Sequence, residues 1–421
     1  MDERPRGLWS HPDFLKLWGG QTISQFGSQI TVLALPLTAA LALQASPFQM
    51  GLLSAATVAP SLVVGLVAGV WVDRLRRRPI LLAADLGRAL LLLIIPLAAW
   101  LGALRMEVLY LAAFGTGLLT VFFDVAYAAY LPALVEREHL VEGNSKLETS
   151  RSAAQLAGPG LAGALVGLVT APFALLVDAL SFLLSACFLG AIRVVESAPH
   201  TDSRRRSTRR EIVEGLRLVG GAPLLRALAG SAGTWNLSGG VIFAVFVLYV
   251  TRSLGLGPGV LGLVFAGGNA GFLLGALLAE RVTRRFGPGR VMRWALTLGA
   301  VAWLLVPLAS GPIWAKVPLL VAGQSLGSFG LTLSNVNAVS LRQALVPEHL
   351  RGRVMATVAV IGLGTSPLGF LIGGALGEFA GLRPTLAVGA ALRLLVLAWV
   401  WFSPLRSLRE FPSPPAGAHA A

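Results

Sequence analysis

The segment GVWVDRLRRRP, residues Gly69 to Pro79, ends one long apolar run, carries one acid and four arginines, and leads directly into another apolar run. A similar cluster, Glu280, Arg281, Arg284 and Arg285, ends an apolar run in the other half of the chain. Around these clusters lie about a dozen apolar stretches of about 20 residues, the helical length that crosses a hydrocarbon core about 30 Å thick. The arginines therefore mark short loops at one membrane face. Because Lys and Arg favour cytoplasmic loops, that face is expected to be cytoplasmic. The intervening gaps carry only Arg105, Arg252, Lys316 and Arg383.

Composition agrees. Hydrophobic residues make up 55% of the 421 and charged residues 13%, and the mean hydropathy is +0.74. Such a surface is insoluble in water. The net charge of +14 sits in short loops rather than on one aromatic-laced face, so topology explains it and a nucleic-acid partner is not implied. The single cysteine, Cys187, lies in an apolar run, which excludes a disulfide framework and a cysteine-based metal site. No cofactor or metal is implied. MDERPRGLWSHPDFLKLW at the N-terminus lacks a short apolar core with a small-residue cleavage site, so the first span is expected to stay as a helix.

Apolar runs between turn signals predict spanning helices over 17–43, 49–72, 79–102, 107–133, 145–169 and 171–192, then 223–251, 258–281, 289–310, 314–341, 351–377 and 383–403. The expectation is an all-α membrane protein of twelve helices in two six-helix halves, 17–192 and 223–403. A cytoplasmic segment 1–16, a basic cytoplasmic linker 193–222 and a cytoplasmic tail 404–421 complete the chain. The linker holds the strongest basic cluster, Arg204, Arg205, Arg206, Arg209 and Arg210. The halves repeat at roughly 210 residues. Asp73, Arg74, Arg77 and Arg78 match the cluster at Glu280, and PALVEREHL (Pro132 to Leu140) matches QALVPEHL (Gln343 to Leu350) with one residue inserted. Repeated six-helix halves joined by a basic link are the architecture of many secondary transporters, with the substrate path at the repeat interface.

On these residues the chain resembles the major facilitator superfamily over almost its whole length. Gly69, Asp73, Arg74, Arg77 and Arg78 are similar to that superfamily's signature loop between helices 2 and 3, where a small residue, an acid and basic residues form a conformational latch. Gly69 permits close helix approach, Asp73 can face a helix N-terminus, and the arginines can pair with acids or lipid phosphates. AAQLAGPGLAGALVG in helix 5, with Gly158, Pro159, Gly160 and Gly163, resembles the glycine-proline motif of drug:proton antiporters, departing from it at Ala154 and Ala162. A bend is expected near Pro159. HPDFLKLWGGQTISQFGSQIT (His11 to Thr31), FFDVAYAAYLPALVEREHLVEGNSKL (Phe122 to Leu147) and VDALSFLLSA (Val177 to Ala186) resemble the branch of enterobactin exporters and macrolide efflux pumps. That resemblance implies outward movement of amphipathic molecules driven by proton entry.

Ionisable groups inside spanning helices cost about 2.5–3.5 kcal/mol on insertion scales and are functional candidates. Asp124 in helix 4 lies near mid-membrane and reads as a proton carrier or a structural hydrogen-bonding residue; its repeat counterpart is Asn335. Asp178 in helix 6 reads as a structural cap or a second proton site. Asp85 and Arg88, three residues apart, read as an ion pair, with Arg88 snorkelling to the cytoplasm. Arg393 falls mid-helix, where an intramembrane acid is a possible partner. Helix 4 has no arginine where many proton antiporters of the superfamily carry one, so Asp124 is expected to act without that partner.

Gln21, Gln25, Ser28 and Gln29 fall at i, i+4, i+7 and i+8, one polar stripe that must face the bundle. Thr234, Trp235 and Asn236 in helix 7, with Ser238, and Asn335 and Asn337 in helix 10 offer an aromatic platform and polar groups. Such mixed linings suit flexible binding of amphipathic substrates. Trp100, Trp303 and Trp314 read as interfacial anchors.

The leading expectation is a secondary active transporter of the cell (inner) membrane, both termini cytoplasmic, exporting amphipathic drug-, macrolide- or siderophore-type molecules by proton antiport with alternating access. Its partners are a small-molecule substrate, protons and the lipid bilayer, and a monomer is the default. An importer or facilitator on the same fold is the alternative. An intramembrane enzyme or lipid scramblase belongs to a different class, and nothing reads as an HExxH metal pair, a GxxxxGK(S/T) phosphate loop or a GxSxG nucleophile turn.

Overall fold

The computed structural model describes residues 8–72, 74–193, 208–408 and 410. Asp73, the linker arginines Arg204, Arg205 and Arg206, and most of the tail lie outside the described residues.

Twelve helices long and apolar enough to cross a membrane follow one another, as the apolar runs predict. They are α1 (Pro12–Ala42), α2 (Pro47–Val72), α3 (Arg77–Trp100), α4 (Met106–Leu134), α5 (Leu140–Val169) and α6 (Ala171–Gly190). The second set is α7 (Pro223–Ser253), α8 (Pro258–Phe286), α9 (Pro288–Leu308), α10 (Ile313–Leu345), α11 (Glu348–Ala380) and α12 (Leu382–Trp401). No strand occurs among the described residues. The helices are all the backbone needs in a medium without hydrogen-bonding solvent. An extra helix, Thr208–Gly221, lies in the linker and is held by an ion pair of 2.8 Å between Glu214 and Arg353 of α11.

Several starts follow from proline at the first turn, where a missing N–H costs nothing, as at Pro12, Pro223 and Pro288. His11 caps α1, its Nδ1 accepting the N–H of Phe14 at 3.1 Å. The C-terminus of α6 gathers cations: Arg78 Nε donates to Leu189 O at 3.1 Å and Lys16 Nζ to Ala191 O at 2.8 Å. Positive side chains there answer the unsatisfied carbonyls of the last turn. Arg78 thus tethers the signature loop to α6.

The chain divides into two compact units, Met1–Ser203 with Gly257–Ala266, and Arg204–Leu256 with Gly267–Ala421. In the first, α1 packs on α5 and α6, and α3 packs on α4 and α6. The start of α8 joins this unit because Gly163 and Gly262 face each other. A Cβ on Gly163 would stand 2.7 Å from Pro258 O and 3.0 Å from Gly262 Cα, so only glycine admits this approach. In the second unit α7 packs on α11 and α12, and α9 on α10.

The repeat extends to backbone detail. α1 and α7 both end in a widened π-helical turn, Thr38–Ala42 and Tyr249–Ser253. Each is closed by the same bonds, Leu43 N–H to Thr38 O and Leu254 N–H to Tyr249 O. Positive φ then follows at Gln44 (50°) and Gly255 (65°). The α5–α6 and α11–α12 junctions share another such pair, Thr170 at φ 77° and Gly381 at φ 89°. A β-branched residue in that region is strained, by about 1–3 kcal/mol, whereas glycine is not.

Thr170→Gly is therefore expected to raise the thermal midpoint of the purified protein, by the relief of about 1 kcal/mol or more, and Gly381→Thr to lower it. Paired melting curves in one detergent check both signs.

Candidate functional site

The first unit encloses a cavity of about 630 Å³ that draws side chains from all of α1 to α6. α1 contributes Gln21, Gln25 and Ser28 of the predicted stripe, together with Thr22, Ser24 and Thr31. Gln29 turns elsewhere and packs against Gly158 of α5, where a Cβ would have no room. α4 presents a second stripe, Thr116, Thr120, Asp124 and Tyr127, at i, i+4, i+8 and i+11. Apart from Asp124 these were not singled out from sequence, although the helical period that revealed the glutamines applies to them equally. α5 adds Glu148 and Arg151, and α2 adds Thr57 and Ser61.

Two carboxylates of the wall differ in environment. Asp178 is buried and fully engaged: Thr31 Oγ1 donates to Oδ2, and Ser181 Oγ donates to Oδ1 at 2.9 Å. It stands where α1 and α6 come closest, at Gly27, whose missing side chain makes room for Ser181 and Asp178. Asp124 is exposed to the cavity, within electrostatic range of Arg88 and Arg151.

Arg88 does not snorkel. It is buried, pairs with Asp85 and lines the cavity, its guanidinium 4.3 Å from the ring centre of Phe123 and 4.1 Å from that of Phe182. An aromatic sandwich plus a carboxylate compensates the buried charge. Arg88 of α3 and Arg151 of α5 thus line the same cavity as Asp124, although α4 itself carries no arginine there. Sequence spacing gave the Asp85–Arg88 pair, but only packing shows which way it faces.

In the second unit the expected binding groups other than Asn335 are engaged in packing. Trp235 is buried among Leu296, Val396 and Val400. Thr234 accepts from Trp399 Nε1 at 3.0 Å, and Asn236 Oδ1 accepts from Ser366 Oγ at 3.3 Å. Asn337 is buried, accepting from Thr283 at 3.0 Å and so joining α8 to α10. Asn335 is exposed. Arg393 finds no acid among the described residues; its Nε donates to Ser238 Oγ at 3.2 Å and its guanidinium lies 4.4 Å from Trp235 and 4.7 Å from Trp303. Trp303 is therefore a core residue rather than an interfacial anchor, whereas Trp100 and Trp314 are exposed. Pro159 and Pro367 sit inside continuous helices.

Contrary to the expectation that no GxSxG occurs, Gly323-Gln324-Ser325-Leu326-Gly327 matches it letter for letter. It lies within continuous α10, where Ser325 Oγ donates to Gly267 O at 2.8 Å, so it forms no strand-to-helix elbow. No cluster of His, Cys, Asp and Glu fit to hold a metal occurs among the described residues.

A twelve-helix bundle with an internal repeat and a polar, charge-lined cavity defines a polytopic membrane transporter. The family described as "Transmembrane secretion effector" matches residues 8–417, and the chain belongs to that family of major facilitator superfamily transporters. It is 30% identical over 401 residues to the multidrug efflux pump Tap of Mycolicibacterium fortuitum, covering 91% of this chain and 93% of that one. It is 29% identical over 393 residues to the multidrug efflux pump Tap of Mycobacterium tuberculosis, covering 89% of each. Among solved structures, a bacterial homologue of the iron transporter ferroportin in an inward-facing state superposes with a TM-score of 0.74 at 19% identity, over 93% of this chain and 98% of that one. The nucleoside transporter NupG gives 0.76 at 10% identity, over 93% and 98%. These two likenesses establish the fold alone.

Asp85→Asn leaves Arg88 buried without a counter-charge and is expected to cost about 3–5 kcal/mol, read as a fall in folded yield and thermal midpoint. The double variant Asp85→Asn with Arg88→Gln should recover most of that loss; no recovery would contradict the pairing.

Proposed function

We propose that this transporter exports amphipathic drug-type molecules by proton antiport, through the cavity of the first unit and by alternating access of the two halves. The observation that carries the reading is Asp124: an acid inside a membrane-spanning helix, exposed in the wall of a cavity that also presents hydroxyls, amides, aromatic rings and the charged Arg88, Glu148 and Arg151. The likeness to two multidrug efflux pumps supports export of drugs over siderophores or metabolites.

In this scheme Asp124 binds and releases the coupling proton, with Arg88 and Arg151 within electrostatic range. Asp178, with both oxygens occupied, holds α1 against α6. Gln21, Gln25 and Ser28 offer the substrate hydrogen bonds, and Phe123, Tyr127 and Phe182 offer apolar faces. Of the second-unit residues, Thr234, Trp235, Asn236 and Asn337 support substrate binding through the helices they join, and the exposed Asn335 offers a further polar contact. Gly69, Arg74, Arg77 and Arg78, with Asp73, form the latch, and Gly158, Pro159, Gly160 and Gly163 the close-packed helix 5 surface.

Efflux of a lipophilic dye from everted vesicles, with and without an imposed proton gradient, tests the mechanism. Gradient-driven transport is expected in the wild type. Asp124→Asn should abolish its dependence on the gradient, and Asp178→Asn should mainly lower stability. Transport indifferent to the gradient would point to a facilitator, and unchanged coupling in Asp124→Asn would remove its role.

Placement in the cell membrane with both termini cytoplasmic rests on the arginine-rich loops at 74–78 and 281–290. Phosphatase fusions near Arg105 and Lys316 should be active and fusions near Leu75 and Val282 inactive; the reverse pattern would invert the orientation.

A further inference from the structure

The second unit carries a groove of about 490 Å³ between α8, α9 and α10 whose lining is apolar except for Arg290. Its floor is the buried cluster of Val291, Ala295 and Leu333, and its walls include Phe286 and Trp294, 51% and 62% exposed. All lie in or at the ends of membrane-spanning helices, so hydrocarbon rather than water fills such a groove.

One end is fixed at headgroup level. Arg290 stands in the first turn of α9, beside the end of α8 at Phe286, and α8 closes with Arg281, Arg284 and Arg285. Trp294, edge-on to Trp401 at 5.8 Å, marks the interfacial layer where tryptophan prefers to lie. From Arg290 through Trp294 to Leu298, at i, i+4 and i+8, the groove descends about 12 Å along the helix. Arg290 is exposed and engages no hydrogen bond, ion pair or ring among the described residues.

A free cation at headgroup level above an apolar channel of acyl-chain dimensions is matched by one ligand chemistry: a negatively charged phosphate bearing a hydrocarbon tail. We propose that this groove binds an anionic phospholipid, one acyl chain lying against Val291, Ala295 and Leu333 and the phosphate held by Arg290. The arginines that end α8 add to the attraction, as clustered cations do at anionic membrane surfaces. The site is a lipid contact separate in chemistry from the transport cavity, and its occupancy does not depend on which substrate the protein carries.

Native mass spectrometry of the purified full-length protein, titrated with phosphatidylglycerol or phosphatidylcholine of matched chains, reads the binding directly. The wild type should retain phosphatidylglycerol more strongly. Arg290→Gln should lower that retention about fivefold, toward the phosphatidylcholine level, and Arg290→Lys should preserve most of it. Arg217→Gln, at an exposed arginine of the linker helix, should leave it unchanged. Because Arg290 is exposed and unpaired, an unchanged melting curve is expected to accompany its loss. Equal retention of the two lipids, or an equal fall in Arg217→Gln, would reduce the effect to general charge and overturn the site. Retention of a lipophilic dye in place of phosphatidylglycerol, unaffected by Arg290→Gln, would assign the groove to substrate and also overturn it.

Discussion

The pairing of Arg88 with Asp85, clamped between two phenylalanines, is the interaction on which the cavity of the first unit depends. A guanidinium buried within a membrane-spanning bundle needs both a counter-charge and polarisable faces from the protein. Asp85 comes from the preceding turn of α3, Phe123 from α4 and Phe182 from α6. Satisfying one charge therefore fixes three helices. The same arrangement places Phe123 and Asp124 side by side in sequence on α4, the ring on the clamp and the acid on the cavity. Removing the cation would free the phenylalanines as well as the carboxylate.

The two halves solve the same problem differently, and the difference carries functional meaning. Their backbones repeat to the level of matching π-turns and matching positive-φ junctions. Their buried charges do not repeat. In the first unit the arginine has a carboxylate and opens onto a cavity with Asp124, Glu148 and Arg151. In the second, Arg393 engages Ser238 and two tryptophans among the described residues. Arg393 and Trp303 occupy repeat positions held by Phe182 and Leu92 in the first half. Among the described residues, the cavity that gathers carboxylates and arginines thus belongs to the first unit, while Arg393 of the second is held by a hydroxyl and aromatic rings.

Much of this was legible in the sequence, for reasons that depend on range. The spans, the repeat and the Asp85–Arg88 pair rest on lengths, periods and local spacing, and these the bilayer enforces residue by residue. The direction of a side chain across the bundle rests on which helix lies opposite. Arg88 was expected to snorkel because its own helix offers that route; Phe123 and Phe182, 35 and more residues away, give it a better one. Trp303 was expected at the interface because it falls near a span end, yet Arg393 draws it into the core. The hydroxyl stripe of α4 was within reach of the same periodicity that revealed the α1 glutamines, but isolated threonines in an apolar run are a weaker signal than amides.

The contrast between Asp178 and Asp124 sets what each acid can do. A proton carrier must exchange with an aqueous path and tolerate both charge states, so its oxygens cannot be committed to fixed donors. Asp178 accepts from Thr31 and from Ser181, bonds that also join α1 to α6, and releasing them would cost packing at Gly27, where no side chain fits. Asp124 faces the cavity, with two arginines at electrostatic range rather than in its hydrogen-bonding shell. Arg88 is held by its own partner, Asp85, and so leaves the Asp124 carboxylate uncommitted. Under the proposed antiport, a molecule occupying the cavity would cover Asp124, so that substrate and proton meet at one side chain.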